Sequence, residues 1–287
     1  MSVRNFVPEI WSSRLLVAAR EAHVYASPNV VNRDYEGDIA EAGDTVRITS
    51  VSRPAIGTYV PGSTVITPEN LTTGQRTLVV DQAKYWAFEV DDVDKRQAKS
   101  GLVPAAMSEA AYGLAEVMDT YVAGLYTQIA SGNFLNVQGS PIDTYTAVTD
   151  AYNKILVPLR TKLSKANVPT AGRYVIVPPE MYASLLQDSR FTSAADSGSD
   201  AALRNGFVGR AAGFDIYESN NCPVPTGDTT VVMAGVKEAI TFAEQLNKTE
   251  AYRPENSFSD AVKGLALYGA KVIRPDFLAA AFINPAA

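Results

Sequence analysis

Residues 102–130 have the sequence LVPAAMSEAAYGLAEVMDTYVAGLYTQIA, and this stretch decides the fold. Apolar side chains recur along it at steps of three or four, which predicts one long amphipathic helix. Pro104 falls in the first turn, where proline is tolerated, and residues 131–133 (Ser-Gly-Asn) tolerate the left-handed conformation that ends helices. At 1.5 Å per residue such a helix is about 43 Å long, well above the usual length. Gly113 and Gly124 in its interior permit bending or a close approach of another backbone.

An extended segment precedes this helix. Residues 45–51 alternate in the manner of a half-buried strand, and residues 75–80 and 85–90 also have strand character. Proline and glycine interrupt the sequence repeatedly between them. We therefore expect two long antiparallel strands joined by an irregular tip near residues 57–74. A two-stranded ribbon is marginally stable alone in water, so it needs a surface to lie on, and a neighbouring subunit is the natural candidate.

The rest of the chain predicts a mixed α/β arrangement. Residues 1–35 form an arm with one short amphipathic helix, and residues 189–199 are small and polar, as in a mobile surface loop. The further helices are expected at residues 144–166 (kinked or interrupted at Pro158), 180–188 and 237–245, and the further strands at 173–177, 213–217, 229–234, 249–252 and 261–273.

The composition is that of a folded globular protein: 46% of the 287 residues are hydrophobic and 20% are charged. The formal net charge of -6 disfavours sequence-specific DNA recognition, which normally requires a basic face. A single cysteine excludes an intramolecular disulfide and fits a reducing compartment. The longest apolar run, residues 277–283, is too short to span a bilayer. No secretory signal is recognisable, so we expect the chain to be cytosolic where it is made.

A search for chemistry finds no catalytic, cofactor-binding or metal-binding set. His23 is the only histidine, which excludes metal sites with two or more histidine ligands, and we expect it at a surface or interface. Cys222, before a proline, is expected to be a buried or half-buried structural thiol. The glycine-rich residues 206–213 precede a strand and fit a tight turn better than a phosphate loop. The acidic residues 91–94 are expected to complement the dipole of the following helix or to form ion pairs, with metal binding as a minor alternative.

Several short segments then carry a resemblance to a known family. They are residues 43–48, 88–94, 209–220, 258–265 and 268–275. In this order they resemble the P22 coat protein family of tailed-bacteriophage major capsid proteins, which have the HK97-type fold. The segment 133–142 is too short for the inserted domain that the P22 coat protein itself carries.

The resemblance implies an α+β fold with five parts. These are an N-terminal arm (1–35), an extended β-hairpin, the E-loop, with peripheral strands (36–91), a spine helix with the peripheral domain (92–140), an axial α/β domain (141–248) and C-terminal strands that return to the peripheral domain (249–287).

The implied function is structural. Hexamers and pentamers of identical subunits would form an icosahedral shell around double-stranded DNA, located in the virion and assembled in the cytoplasm of the bacterial host. Scaffolding and portal proteins would be partners, with decoration proteins as a further class, and no membrane is involved. The candidate assembly residues lie on the extended loop, the strand after it and the spine: Arg47, Arg53, Tyr59, Arg76, Trp86, Gly113 and Gly124.

One departure follows from the residues of the extended loop. Some members of this fold join subunits through a lysine–asparagine isopeptide bond whose lysine lies on the loop. Between Asp44 and Ala83 this chain has no lysine, and Lys84 stands only at the base of the loop. We therefore expect a shell held by non-covalent contacts. The alternatives are an encapsulin-like bacterial compartment shell and, from a different class, an α/β enzyme or small-molecule binder.

Overall fold

A computed structural model describes residues 23–34, 45–51, 56–59, 61–62, 70, 73–91, 102–144, 147, 149–188, 190, 209–255 and 259–284. The predicted N-terminal helix, most of the loop at 189–199 and the acidic residues 92–94 lie outside these ranges. The fold is α+β, as expected. Its helices are α1 (Leu102–Ala123), α2 (Val157–Lys165) and α3 (Pro179–Gln187). Its strands are β1 (Thr45–Val51), β2 (Thr73–Val79), β3 (Gln82–Asp91), β4 (Ile142–Asp143), β5 (Arg173–Val177), β6 (Arg210–Ala211), β7 (Phe214–Glu218), β8 (Thr230–Val236), β9 (Ile240–Tyr252), β10 (Ser259–Val272) and β11 (Leu278–Asn284).

The extended segment consists of an antiparallel strand pair, β1 and β2, followed by the strand β3, which is part of a different sheet. β1 pairs with β2 from Thr45 opposite Val79 to Val51 opposite Thr73, which confirms the predicted hairpin. β3 does not continue it, because it pairs antiparallel with β10 along its whole length. The hairpin is therefore shorter than the sequence predicts, and β3 anchors the chain in a sheet.

The spine helix is also shorter than predicted. The α-helix α1 ends at Ala123 and tightens into a 3-10 helix over Gly124–Gln128. Its 22 residues span about 33 Å at 1.5 Å per residue. A second 3-10 turn follows at Ser131–Asn133, and neither Gly132 nor Asn133 adopts a positive φ, so the expected left-handed stop is wrong. Instead, the Asn133 side-chain amide donates to two carbonyls of the distant segment 276–278, which fixes the end of the spine.

A three-stranded sheet of order β3-β10-β9 packs on the spine. Its inner face contributes Trp86, Val262 and Ala266 to the same hydrophobic cluster as Met107 and Met118 of α1. The helix predicted at 237–245 is wrong. The structure has a 3-10 turn, Lys237–Ala239, followed by the strand β9. The run that follows forms a strand because paired neighbours and burial outweigh its helical pattern.

A six-stranded mixed sheet of order β4-β11-β8-β5-β7-β6 forms the second body of the fold. All five residues of β5 and all seven of β8 are buried. Side chains of α2 and α3 share a hydrophobic cluster with the sheet residues. Near Pro158 the helix changes type rather than breaking: a π-helical segment, Ala151–Leu156, runs into α2 with Leu156 and Val157 both in helical φ and ψ, and Pro158 lies in the first turn of α2. β11, which the sequence analysis did not predict, lies between β4 and β8.

Candidate assembly elements

The β1–β2 hairpin is attached to the rest of the fold at its root. Leu78 and Val80 are buried in a small cluster with Ala243 and Leu267, whereas Val79 between them is 42% exposed. Gly269 of β10 lies directly under this root, since a Cβ built there would come within 2.4 Å of the Val79 carbonyl oxygen. A glycine is needed at this crossing because any side chain would push the two backbones apart.

The far end of the hairpin is open to solvent in the described residues. Ile56 is 86% exposed and Tyr59 is 63% exposed. Arg76 on β2 donates from its guanidinium to the Val272 carbonyl oxygen at 3.1 Å, so it also braces the root. Arg47 lies opposite Thr77 in the β1–β2 register, and Arg53 falls outside the described residues. The hairpin thus exposes apolar side chains at its far end, while its root is fixed to the rest of the subunit.

The other three candidate residues lie within the body of the subunit. Trp86 is buried to 9% exposure, stacks on Phe88 and closely contacts Gly264 of β10. Gly113 and Gly124 are exposed, and a Cβ at either would meet nothing within 4 Å. Within one subunit, therefore, neither glycine is required by a close backbone approach, although Gly124 marks the change from α to 3-10 geometry.

The outer face of the three-stranded sheet carries exposed apolar side chains. Tyr85 of β3 is 81% exposed and faces Leu265 of β10 across the strand pair. Tyr252 of β9 is 46% exposed, and the Lys263 ammonium lies 5.1 Å from its ring centroid. Lys263 also pairs with Glu250 at 3.1 Å. This face combines aromatic area with charges that are already paired within the subunit.

The N-terminal segment is tied to the spine by one carboxylate. Residues 23–33, here called the strap, run past α1, where Asp119 is only 1% exposed. The Asp119 carboxylate accepts hydrogen bonds from the backbone N–H groups of Val24, Tyr25 and Ala26, at 2.7, 3.2 and 2.9 Å. Charged acceptors form the stronger hydrogen bonds in proteins, so this junction is a firm attachment.

His23 lies at the centre of this junction, which corrects its expected place at a surface or interface. It is 6% exposed, with Nδ1 3.1 Å from Asp119 Oδ1 and Nε2 3.4 Å from Glu244 Oε2 of β9. Arg33 of the strap completes the group, its guanidinium 2.7 Å from Glu244 Oε1. No local sequence signal identifies this cluster, because its members are separated by 86 residues or more along the chain, apart from His23 and Arg33.

The electrostatics of the cluster follow from this arrangement. Burial by itself lowers the pKa of His23, but its contacts with Asp119 and Glu244 outweigh burial and raise the pKa above the usual 6.5. Burial also raises the pKa of Glu244, yet His23 and Arg33 reverse this and bring it down to about 2. Both shifts favour the charged forms of these two side chains.

Cys222 lies beside the strap, and its expected burial is confirmed. The Tyr25 hydroxyl donates to Cys222 Sγ at 3.3 Å, and the thiol lies 3.3 Å from the Ser219 carbonyl oxygen that accepts from it. Burial raises the pKa of the thiol to about 12, which leaves it unreactive at neutral pH.

The remaining motifs have structural explanations. Ala212 and Gly213 have φ values of 50° and 81°, so the described end of the glycine-rich segment is a tight turn between β6 and β7, as predicted. Among the residues that the structure describes, no group of three or more His, Cys, Asp or Glu side chains is arranged to hold a metal ion. None of the helices in the described ranges is both long enough and apolar enough to cross a membrane.

Comparison with known proteins places these elements in a family. The sequence model described as phage capsid protein matches residues 73–281. A structure from Mycobacterium phage Che8 is 32% identical with a TM-score of 0.72, and the match covers 92% of this chain and 91% of that chain. Among curated proteins, none matches the chain.

More distant structures share the fold. The capsid of cyanophage P-SCSP1u is 18% identical with a TM-score of 0.68, covering 85% of this chain and 84% of that chain. The SrpI encapsulin complex from Synechococcus elongatus is 13% identical with a TM-score of 0.54, covering 86% of this chain and 85% of that chain. At these identities the likeness is one of architecture alone.

Proposed function

Because this chain belongs to the phage capsid protein family, we propose that many identical copies of it close into the icosahedral shell of a tailed phage. The family and the fold are those of a structural shell protein, and its place is the virion capsid. Hexamers and pentamers held by non-covalent contacts would build the shell. The encapsulin alternative is supported only by distant likeness of fold.

The observation that carries this proposal is the hairpin. It projects on a root of two buried residues, Leu78 and Val80, while every described residue at its far end is exposed. A monomer would gain nothing from holding Ile56 and Tyr59 in water, because apolar area is stabilised by burial. A neighbouring subunit supplies the missing surface.

The candidate contact residues lie in three places, on the hairpin, at its base and on the spine, and would act differently in each. Arg47, Arg53, Tyr59 and Arg76 would act on or near the surface of the hairpin. Trp86 would act indirectly, by holding β3 against β10 at the base of the hairpin. Gly113 and Gly124, which are open on the spine, would leave room for a neighbouring backbone or for bending of the helix.

The remaining parts of the proposal concern organisation and partners. We assign residues 1–35 to an N-terminal arm, 36–91 to the extended loop and peripheral strands, 92–140 to the spine and peripheral domain, 141–248 to the axial domain and 249–287 to the returning strands. Assembly would take place in the host cytoplasm with scaffolding and portal proteins, and with decoration proteins as a further class.

The acidic chain would enclose double-stranded DNA without sequence-specific contacts. A net charge of -6 supports this, since tight DNA binding requires many Lys or Arg contacts to phosphate. Strong, salt-sensitive binding of DNA by the isolated subunit would contradict it.

The test of function is assembly of the expressed full-length chain, followed by electron microscopy and sedimentation. We expect closed, uniform shells from the unaltered chain and from Tyr59→Phe, which keeps the aromatic ring. Tyr59→Asp should melt at the same temperature but form few shells, because it places a charge where the neighbour would bury an apolar tip. A chain that stays monomeric at high concentration would refute the shell function. Normal shells from Tyr59→Asp would refute only the role of the hairpin tip.

A further inference from the structure

We propose that His23 is a protonation-controlled lock on the strap: the cation holds residues 23–33 against α1 and β9, and loss of its proton releases them. The observation behind this proposal is geometric. A buried imidazole touches one carboxylate from each of the two elements that the strap crosses, Asp119 and Glu244.

The polar attachments of the strap converge on this junction, beside the buried apolar side chains of Tyr25, Val30 and Val31. At one end Asp119 collects three strap N–H groups as well as His23. At the other end Arg33 contacts both Glu244 and the carbonyl oxygen of Ala26, and the backbone of Asn32 pairs with Ile240 and Phe242 of β9. His23 is the side chain that joins the two carboxylates, so its charge acts on both ends.

Protonated His23 places a positive charge between two buried carboxylates. Its ring nitrogens lie 3.1 Å from Asp119 and 3.4 Å from Glu244, and Glu244 also faces Arg33 at 2.7 Å. Tyr25 and Cys222, two further titratable groups at the strap, are buried with raised pKa values and stay neutral. Deprotonation of His23 removes the positive charge that both buried carboxylates face, which is strongly unfavourable.

The direction of the switch follows from linkage. The pKa of His23 is higher in the folded subunit than the value of about 6.5 of a free histidine. The stabilisation is therefore fully present below about pH 6.5 and is lost as the pH rises through the folded pKa. Between about pH 6.5 and the folded pKa the ratio of released to bound strap grows about tenfold per pH unit, and above the folded pKa it levels off.

The chain contains its own reporter for strap release. Tyr25 of the strap covers Cys222, the only cysteine in the sequence, so release exposes a single thiol. Labelling with a small disulfide reagent, measured on full-length subunits and on assembled particles, reports this exposure. Dividing the rate for the urea-unfolded chain by the native rate at the same pH gives a protection factor that removes the effect of thiol ionisation.

We expect the protection factor of the unaltered chain to be constant up to about pH 6.5, to fall about tenfold per pH unit between pH 6.5 and the folded pKa, and to level off above the folded pKa. His23→Gln, which cannot carry a charge, should give a lower and pH-independent factor. Asn29→Ala, a change at an exposed strap residue, should keep the full pH response. A flat profile in the unaltered chain, or a falling one in His23→Gln, would overturn the proposal.

A second measurement covers the case in which His23→Gln does not fold. His23 is the only histidine, so its ring signal in an NMR titration of the unaltered subunit is unambiguous. The lock requires this signal to titrate above the free value, at the pH where the loss of Cys222 protection levels off. Titration at or below the free value, or protection that levels off at a different pH, would rule it out.

Discussion

Replacement of Gly269 by alanine is the sharpest test of how the hairpin is held. Gly269 has no positive φ, so alanine fits the local backbone, and the only conflict is steric. The added Cβ would lie 2.4 Å from the Val79 carbonyl oxygen and 2.9 Å from Val80 Cα. Both obstacles are backbone, so they cannot rotate away as a side chain would.

The size of the effect follows from these distances. Ordinary contact begins at 3.4 Å, so a 2.4 Å approach forces the root of the hairpin to move by about 1 Å. Overpacking of this kind costs about 1–3 kcal/mol. For a chain of this length each kcal/mol lowers the melting temperature by about 2 °C, so we expect a loss of about 2–6 °C. The displaced root also re-aims a strand pair about 23 Å long, which should reduce shell formation further.

The matched control is the same substitution on the spine. Gly113→Ala meets nothing within 4 Å and lies in an exposed helix interior, so it should stabilise the subunit by about 1 kcal/mol. Thermal melting of subunits measures both variants, and counting of shells by electron microscopy applies to Gly269→Ala alone, because Gly113 is itself a candidate contact residue. Unchanged melting and assembly of Gly269→Ala, or an equal loss of stability in Gly113→Ala, would refute the steric argument.

Three further predictions concern the strap and the shell. Asp119→Asn should lower stability by about 3–5 kcal/mol in urea denaturation, because it removes one charge of a buried group, whereas Glu116→Gln on the exposed side of α1 should change it by less than about 0.5 kcal/mol. The pKa of Glu244 is lowered to about 2, so its ionised carboxylate stabilises the folded subunit above about pH 4.5, and this stabilisation is lost as the pH falls toward 2. In Glu244→Gln the stability should therefore depend less on pH between about 4.5 and 2. Mature particles should dissolve in SDS to a single monomer band, and a ladder of covalent multimers would contradict the non-covalent shell.

The sequence pattern was sufficient to predict those elements whose structure depends on residues close to them along the chain. Residues 45–51 alternate and are followed by turn residues, and β1 does pair with the next strand along the chain. The spine was predictable from its apolar spacing up to Gly124, where the geometry tightens. The position of Pro158 in the first turn of α2 fits the chemistry of proline, which is tolerated there.

Distant pairing was not predictable from one sequence. β3 was read as part of the hairpin because its alternation does not reveal that its partner, β10, begins at Ser259. The run 240–245 has a helical pattern but is held extended between β10 and the strap. β11 is Ala-rich and apolar on both faces, which suits an internal strand but gives no alternation to recognise.

Among the candidate functional residues, too, some features could be predicted from neighbouring residues in the sequence and others depend on distant ones. The exposed tip residue Tyr59 could be proposed from its place in the hairpin, and the burial of Cys222 from its setting before a proline. The burial of His23 could not, because it depends on Asp119 and Glu244, which are 96 and 221 residues away. A lone histidine in an arm resembles a surface residue until its partners are brought to it.

The position of the last two strands bears on the order in which the subunit can fold as it is synthesised. β10 is the central strand of the three-stranded sheet, and β11 is an internal strand of the six-stranded sheet. While residues 259–284 are still in the ribosome, neither sheet has the strand that joins its two sides. A nascent chain therefore has no finished surface to offer a neighbour. Assembly therefore has to follow the synthesis of β10 and β11.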